Sequence, residues 1–270
     1  MIYKCKISPL IIMAVLGLFI ATKSFAQNYK IIYLAAYQRD TTESHKIREE
    51  AQLIINEGRS LFQMSNHAQF DSIRYHGIER KKSSNYTPYP IDIIKDYNTN
   101  KLTFYEDILK DKSVFYYDEP MLNKENWQLS SDTMTIGNHL CQKAEIEFGN
   151  RKWTAWFDPN IPISDGPYKF AGLPGLIVKM NDVTNSWSFI LSTIEKIGGD
   201  IKINLSYLPE PKEIARADFL KLRKEMLDNM IDIQEVTGTL NLRMKGDVNN
   251  VNMKKNYANA RKKDNNWIER

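Results

Sequence analysis

The sequence predicts a mainly β fold of the α+β class, in which a curved antiparallel sheet or half-barrel packs against one C-terminal helix. Many short segments alternate apolar and polar residues, and turn residues separate them at the spacing of β-hairpins. Such spacing favours antiparallel neighbours over alternating β–α–β units. About ten strands are too many for a flat sheet, so we expect the sheet to curl or close.

The alternation predicts the strands in chain order, with a hairpin at the centre of the chain. Gly137-Asn138 suits a two-residue turn, which would place Ile136 opposite His139 and Met134 opposite Cys141. Residues 39–50 are predicted to form a loop or helical turn, and residues 66–80 a helix. The predicted strands are 29–37, 52–55, 59–63, 91–97, 101–108, 114–117, 127–129, 134–136, 139–148, 151–157, 176–180, 186–197 and 202–208.

One convincing helix is predicted, over residues 210–230. Its apolar residues recur at roughly helical spacing, at Phe219, Leu222, Met226 and Met230. We expect this apolar side to pack on the sheet.

The N-terminus has the pattern of a secretory signal peptide. Lys4 and Lys6 precede an apolar run over residues 7–21, and a small-x-small sequence ends at Ala26. We therefore expect cleavage after Ala26 and export to the periplasm or beyond the cell. The apolar run is too short to favour a transmembrane helix, so no stable membrane span is expected after cleavage. A retained amphiphilic anchor is the alternative.

Charge and cysteine content narrow the function classes. The signal peptide takes three lysines and no acidic residue with it, which brings the formal net charge from +4 close to neutrality. Nothing in the sequence suggests the clustered basic face that nucleic-acid binding needs, so nucleic acid is not expected as a partner. Cys5 precedes the apolar run and does not mark a lipoprotein acylation site. Cys141 is then the one mature cysteine, so core burial must hold the fold together without an intramolecular disulfide.

The chain after the signal peptide is predicted to hold one domain and a tail. The β domain with its C-terminal helix covers residues 27–231. Residues 232–270 mix asparagines and cations with few apolar residues, a composition that cannot offset chain entropy by burial. We expect this tail to be disordered, and a short docking element at Trp267 and Ile268 is the alternative.

Residues 153–180 change abruptly from strand-like to turn-like sequence. Three prolines interrupt the stretch after the strand at 151–157. Leu173-Pro174-Gly175-Leu176 is predicted to form a type II turn, because proline presets φ at its second position and glycine allows a positive φ at its third. The turn motif Gly172, Leu173, Pro174 and Gly175 would be a rigid corner before the next strand.

The hexapeptide Gly172-Leu173-Pro174-Gly175-Leu176-Ile177 resembles the GLPGLI family of exported bacterial proteins, which is named after this string. The resemblance continues upstream through residues 156–157, 161–163 and 166–170, and more weakly over residues 29–223. It implies export to the cell envelope. It implies no particular reaction or cofactor.

Catalytic chemistry has few candidates in this sequence. The nucleophile-elbow, zinc-protease and phosphate-loop motifs are absent. A Cys141–His139 dyad is possible because residues two apart share a strand face. Asp158 and Asp165 could act as an acid–base pair, although aspartate beside proline or glycine is typical of turns. No catalytic residue is assigned.

A soft-metal site is a second possibility. The predicted hairpin register places Met134, His139 and Cys141 on one face. Thioether, imidazole and thiolate groups suit Cu(I). A slip of one residue would destroy the arrangement, so ordinary packing is the competing interpretation and no cofactor is predicted.

Aromatic residues supply the preferred functional hypothesis. The candidate ligand or partner surface consists of Trp153, Trp156, Tyr168, Phe170 and Trp187. Aromatics on both strand faces require a cover, which could be the helix, a ligand or a partner. We therefore expect a non-enzymatic binding or scaffolding module for an apolar ligand or an envelope protein partner. The alternatives are a Cu(I)-binding periplasmic protein and a hydrolase that uses Asp or Cys.

Overall fold

A computed structural model describes residues 28–64, 91–108, 113–198, 203, 205, 208, 210–225 and 265–269. These residues form a 12-stranded sheet, a short 3-10 helix at Lys124–Asn126 and one α-helix, α1, over 216–225. No helix within the described ranges is long and apolar enough to cross a membrane. The strands are β1 Asn28–Tyr37, β2 Ile47–Asn56, β3 Arg59–Met64, β4 Ile91–Asp96, β5 Lys101–Glu106, β6 Phe115–Pro120, β7 Gln128–Ile136, β8 His139–Phe148, β9 Arg151–Asp158, β10 Leu176–Asp182, β11 Trp187–Ile197 and β12 Lys212–Glu213.

The sheet consists of two antiparallel meanders joined at their ends. Its strand order is β12-β6-β5-β4-β3-β2-β1-β11-β10-β9-β8-β7. The first meander runs from β1 to β6 and the second from β7 to β11, and the pairing of β1 with β11 joins them. The short β12 pairs with β6 in the parallel direction, whereas all other pairs are antiparallel. The predicted fold class, a mainly antiparallel β sheet with one C-terminal helix packed on it, is confirmed.

Most strands lie where the alternation predicts them, and the central hairpin has the predicted register. Ile136 pairs with His139, and Met134 pairs with Cys141. The two strands predicted over 127–136 are one strand, β7, because pairing with β8 continues across an irregularity after Leu129.

Several predicted boundaries are corrected. Residues 47–50 belong to β2 rather than to a loop, since they pair with the end of β1. The helix starts at residue 216 rather than 210, because Lys212 and Glu213 pair with β6. Within the predicted strand at 202–208, the described residues 203, 205 and 208 are not in a strand.

Two further helix predictions lie outside the described residues. These are the predicted helix at 66–80 and the end of the C-terminal helix at 226–230.

One continuous core lies on what we call the inner face of the sheet. Alternate residues of β1 point into it, and Ile31, Tyr33 and Ala35 are all buried. Alternation of this kind is what a sheet with one covered face requires. The loop between β9 and β10 covers this face, together with α1 and residues 265–269, whose side chains belong to the same hydrophobic cluster.

The loop between β9 and β10 depends on two glycines. Gly172 has φ +90, and a Cβ there would lie 2.6 Å from the Cα of Asn123. A Cβ on Gly175 would lie 2.2 Å from the carbonyl oxygen of Asp158. Both positions therefore need glycine, because neighbouring backbone passes too close for any side chain.

The predicted type II turn is not formed. The φ of Gly175 is 158°, far from the +80° of such a turn. The amide of Leu176 donates to Ile161 O (3.2 Å), so it is not available to close the four-residue turn on Leu173.

We expect Gly172→Ala to destabilise the protein far more than Gly137→Ala. Gly137 also has a positive φ, of 59°, but nothing lies within 4 Å of a Cβ placed there. The control substitution should cost about 1 kcal/mol of unfolding free energy for its backbone conformation alone. The backbone clash at Gly172 should raise the loss to about 3 kcal/mol. Urea unfolding measures both values, and equal losses would contradict the close packing at Gly172.

Candidate functional site

A buried ion pair holds the β9–β10 loop against the sheet. Lys95 lies on the same strand face as Ile91 and Ile93 and is completely buried. Its Nζ donates to Asp165 Oδ1 (2.5 Å), Gly166 O (2.8 Å) and Phe170 O (3.2 Å). Burial lowers the pKa of Lys95, and the Asp165 carboxylate offsets part of that shift. The three acceptors satisfy the ammonium group and fix the loop in place.

A second buried lysine lies in the same loop. Lys169 Nζ contacts Glu119 Oε1 at 2.6 Å, Glu269 Oε1 at 2.7 Å and the hydroxyl of Tyr117 at 2.8 Å. It also lies 4.9 Å from the ring centroid of Phe104. Burial alone would lower the pKa of Lys169, but Glu269, Tyr117 and Glu119 outweigh burial and raise it.

Glu269 reaches this lysine from the far end of the chain. Its Oε1 accepts from Lys169 and from the hydroxyl of Tyr168, and its Oε2 accepts from Arg216 Nη2 at 2.6 Å. Burial alone would raise the pKa of Glu269, yet Lys169, Tyr168 and Arg216 lower it to about 2. The carboxylate is therefore charged and bound by three donors.

Glu269 belongs to residues 265–269, which we call the C-terminal segment. Asn266 is fully buried at its centre. The Asn266 amide donates to Arg39 O (3.1 Å), and its side-chain nitrogen donates to Gln38 O (2.7 Å). Its side-chain Oδ1 accepts a hydrogen bond from Arg151 Nη2 (2.5 Å), and its main-chain carbonyl accepts one from Trp187 Nε1 (2.8 Å). Both the backbone and the side chain of this residue are thus recognised.

Arg151 is held in position for this contact by the neighbouring strand. Its Nη1 donates to Asp182 Oδ2 (2.9 Å), and the other oxygen of Asp182 accepts from the amide of Trp187 (2.8 Å). Arg151 also donates to Trp267 O (2.6 Å). The first residue of β9 therefore binds two consecutive residues of the C-terminal segment.

The apolar residues of the segment close the inner face. Ile268 is buried in the core, and the Trp267 ring centroid lies 4.5 Å from the guanidinium carbon of Arg223. Glu106 binds Arg223 from β5. The cavity that remains beneath the segment has a volume of about 10 Å³, room for one water molecule. We call the seat of the C-terminal segment, lined by Gln38, Arg151, Tyr168, Lys169 and Trp187, the segment groove.

These contacts correct the prediction for the tail. The prediction of disorder over 232–270 does not hold for 265–269, which are packed on the sheet. The alternative of a docking element at Trp267 and Ile268 describes these residues better. Residues 232–264 and 270 lie outside the described residues.

The five predicted ligand-surface aromatics do not form one open surface. Trp153 and Phe170 pack against each other in the core, with ring centroids 4.9 Å apart. Tyr168 and Trp187 are also buried, but their polar atoms reach the C-terminal segment. Trp156 lies half-buried on the opposite face. Two of the five residues therefore line the segment groove.

The residues of the predicted metal cluster have the predicted strand register. Cys141 is fully buried, and its Sγ donates to His139 O at 3.6 Å. Burial, with a contribution from Asp158, raises the pKa of Cys141 to about 11. His139 Nδ1 lies 2.9 Å from Asp158 Oδ2. Met134 and His139 are half-buried, and the His139 ring and the Cys141 thiol each have a hydrogen-bond partner within the protein.

No grouping of three or more His, Cys, Asp or Glu that could hold a metal ion occurs within the described ranges. The two candidate acid–base residues bind different partners. Asp158 accepts from the amide of Asn160 (2.9 Å), which is turn chemistry, and Asp165 is buried against Lys95.

Sequence reasoning missed the charged residues of the segment groove, although some left a signal. Arg151 alternates with Trp153 and Ala155 on the inner face, and Lys169 stands between two core aromatics. A cation among core positions has to find a partner, which marks it as a residue of interest. Glu269 gave no such signal.

Comparison with known proteins identifies a short family match and a shared fold. A family described as "Protein of unknown function (Porph_ging)" matches residues 145–179, which include the hexapeptide at 172–177. No curated protein matches the sequence.

Among solved structures, PNGF-II in a P21 crystal form is similar with a TM-score of 0.54 and 14% identity, over 74% of this chain and 34% of that one. PNGF-II in a C2 form gives a TM-score of 0.53, also at 14% identity, over 74% and 33% of the two chains. This chain thus spans about a third of the length of these structures, and the similarity shows a common fold.

The stabilisation that Glu269 provides should disappear on acidification. The pKa of Glu269 is about 2 in the folded protein, whereas an unperturbed glutamate has a pKa of 4.5. Its contribution to the free energy of unfolding is therefore complete above about pH 4.5 and is lost as pH falls towards 2. We expect Glu269→Gln to lower the Tm at pH 6 and to flatten its pH dependence between pH 2 and 5. Thermal unfolding followed by circular dichroism measures both effects.

Glu147→Gln is the matched control, because the Glu147 side chain is 77% exposed. It should leave the pH profile of the wild-type chain unchanged. A Glu269→Gln profile that superimposes on the wild-type profile would show that the carboxylate is not bound as described.

Proposed function

We propose that this protein is an exported cell-envelope protein that binds an extended peptide segment of a protein partner on the inner face of its sheet, without catalysis. One observation carries the proposal. The groove there holds a peptide segment, the chain's own residues 265–269, through main-chain hydrogen bonds and buried side chains.

The contacts in the segment groove are those of a peptide-binding site. Arg39 O and Trp187 Nε1 bind the two main-chain groups of Asn266, a mode that any extended peptide can use. Arg151 and Gln38 bind its side chain, which supplies sequence preference. The groove thus combines general affinity with selection at one position.

The position of the segment in the chain supports exchange with a partner. Residues 226–264 separate it from α1 in the sequence, and the contacts that hold it are non-covalent. A partner segment with matching residues can therefore compete for the same seat.

Export is supported by the N-terminal sequence. Lys4 and Lys6, the apolar run at 7–21 and the small residues before position 27 form a cleavable signal pattern. The GLPGLI hexapeptide lies within the matched residues 145–179, and the resemblance that it carries agrees with a place in the cell envelope. The buried, protonated Cys141 and the turn contacts of Asp158 favour neither a copper protein nor a hydrolase.

Peptide binding in trans tests the proposal. In the full chain, Trp267→Ala should favour release of the C-terminal segment, because it removes the ring that packs on Arg223. A fluorescent peptide with the sequence of residues 263–270 should then bind to the released chain, as measured by fluorescence anisotropy. Trp187→Phe on this background removes one hydrogen bond to the peptide, about 1 kcal/mol, and should weaken binding about fivefold.

Trp156→Phe is the matched control for this assay. Trp156 lies half-buried on the opposite face of the sheet, so its substitution should leave peptide affinity within twofold. Cooperative unfolding would show that the Trp267→Ala chain is folded. If that folded chain does not bind the peptide, the proposed function is wrong.

A further inference from the structure

We propose that Lys169, Arg216 and Tyr168 form a carboxylate pocket, so that the partner segment is an acidic peptide with a glutamate three residues after an asparagine. This inference rests on the proposed function, because it names the chemistry of the peptide that the segment groove selects. Glu269 occupies the pocket in the free protein.

The charges that line the pocket call for one more carboxylate. Lys169 and Arg216 bring two positive charges, and apart from Glu269 the acidic group that contacts both is Glu119, at 2.6 Å and 3.3 Å. One negative charge is therefore needed to neutralise the pocket, and Glu269 supplies it. Lys169 is almost completely buried, so a missing counter-charge there is costly.

The donors in the pocket distinguish a carboxylate from an amide. Lys169 and Tyr168 donate to one oxygen of Glu269, and Arg216 donates to the other. A glutamine would place its NH₂ group against the ammonium group of Lys169 or the guanidinium group of Arg216, and neither group can accept those protons. The pocket is thus selective for Glu over Gln, a difference of one charge and almost no volume.

The spacing between the two residues that charged groups of the groove bind defines the sequence of the preferred peptide. Arg151 binds the asparagine at 266, and Lys169 binds the glutamate at 269. Between them, Arg223 stacks on an aromatic residue and the core receives an aliphatic one. The preferred peptide is therefore Asn–aromatic–aliphatic–Glu, which the chain itself presents in Asn266-Trp267-Ile268-Glu269.

A pair of peptides tests this preference on the full chain carrying Trp267→Ala. The first has the sequence of residues 263–270, and the second replaces its glutamate with glutamine. We expect the glutamine peptide to bind at least tenfold more weakly in fluorescence anisotropy at pH 7. On an added Arg216→Gln background the difference should shrink, because one donor to the carboxylate is lost. Arg216 is 43% exposed, so this change should not unfold the protein.

The outcomes separate the inference from the proposed function. Equal binding of both peptides would overturn the carboxylate pocket and leave peptide binding in place. Binding of neither peptide to a folded chain would overturn both. If Trp267→Ala does not fold, the Glu269→Gln chain is tested with the same two peptides and the same expectation.

A second copy of this chain is the competing occupant of the groove. We expect the wild-type chain to be monomeric by analytical ultracentrifugation. The chain could instead form a dimer in which the two copies exchange C-terminal segments. If excess peptide cannot dissociate such a dimer, the second copy is the occupant and the assignment to a partner is overturned.

Discussion

The buried ammonium group of Lys95 is the constraint on which the inner face depends. A charge in the core must find its partners there, and all three partners of Lys95 belong to the loop between β9 and β10. The loop therefore has one position on the sheet. That position places Tyr168 and Lys169 beneath the C-terminal segment, so a structural ion pair determines the geometry of the segment groove.

The segment groove follows from the way the two meanders meet. Trp187 begins β11 and pairs with Tyr37 at the end of β1, and their rings stack with centroids 4.7 Å apart. Gln38 follows directly, and its carbonyl accepts from Asn266. One end of the segment thus binds where the meanders join, and the other binds the β9–β10 loop and α1. The groove is composite, so its shape depends on the whole sheet.

Local pattern predicted the strands well, because alternation and turn residues are local properties. Strand β8 has its predicted bounds, and the Gly137 turn has its predicted register. The segment groove could not be predicted in the same way. The C-terminal segment is too polar to form a core of its own, and it is buried because residues from five distant parts of the chain supply its partners. Lys95 was recognisable in principle, since it shares a strand face with isoleucines.

Hydrogen exchange of the C-terminal segment tests this account most directly. The amide of Asn266 donates to Arg39 O beneath a closed surface, so the account predicts slow exchange there in the wild-type chain at pH 7. Exchange should become fast in Glu269→Gln, because the segment then loses its bound carboxylate. Exchange of Asn266 at the rate of an unstructured peptide in the wild-type chain would contradict a seated segment and the peptide-binding groove inferred from it.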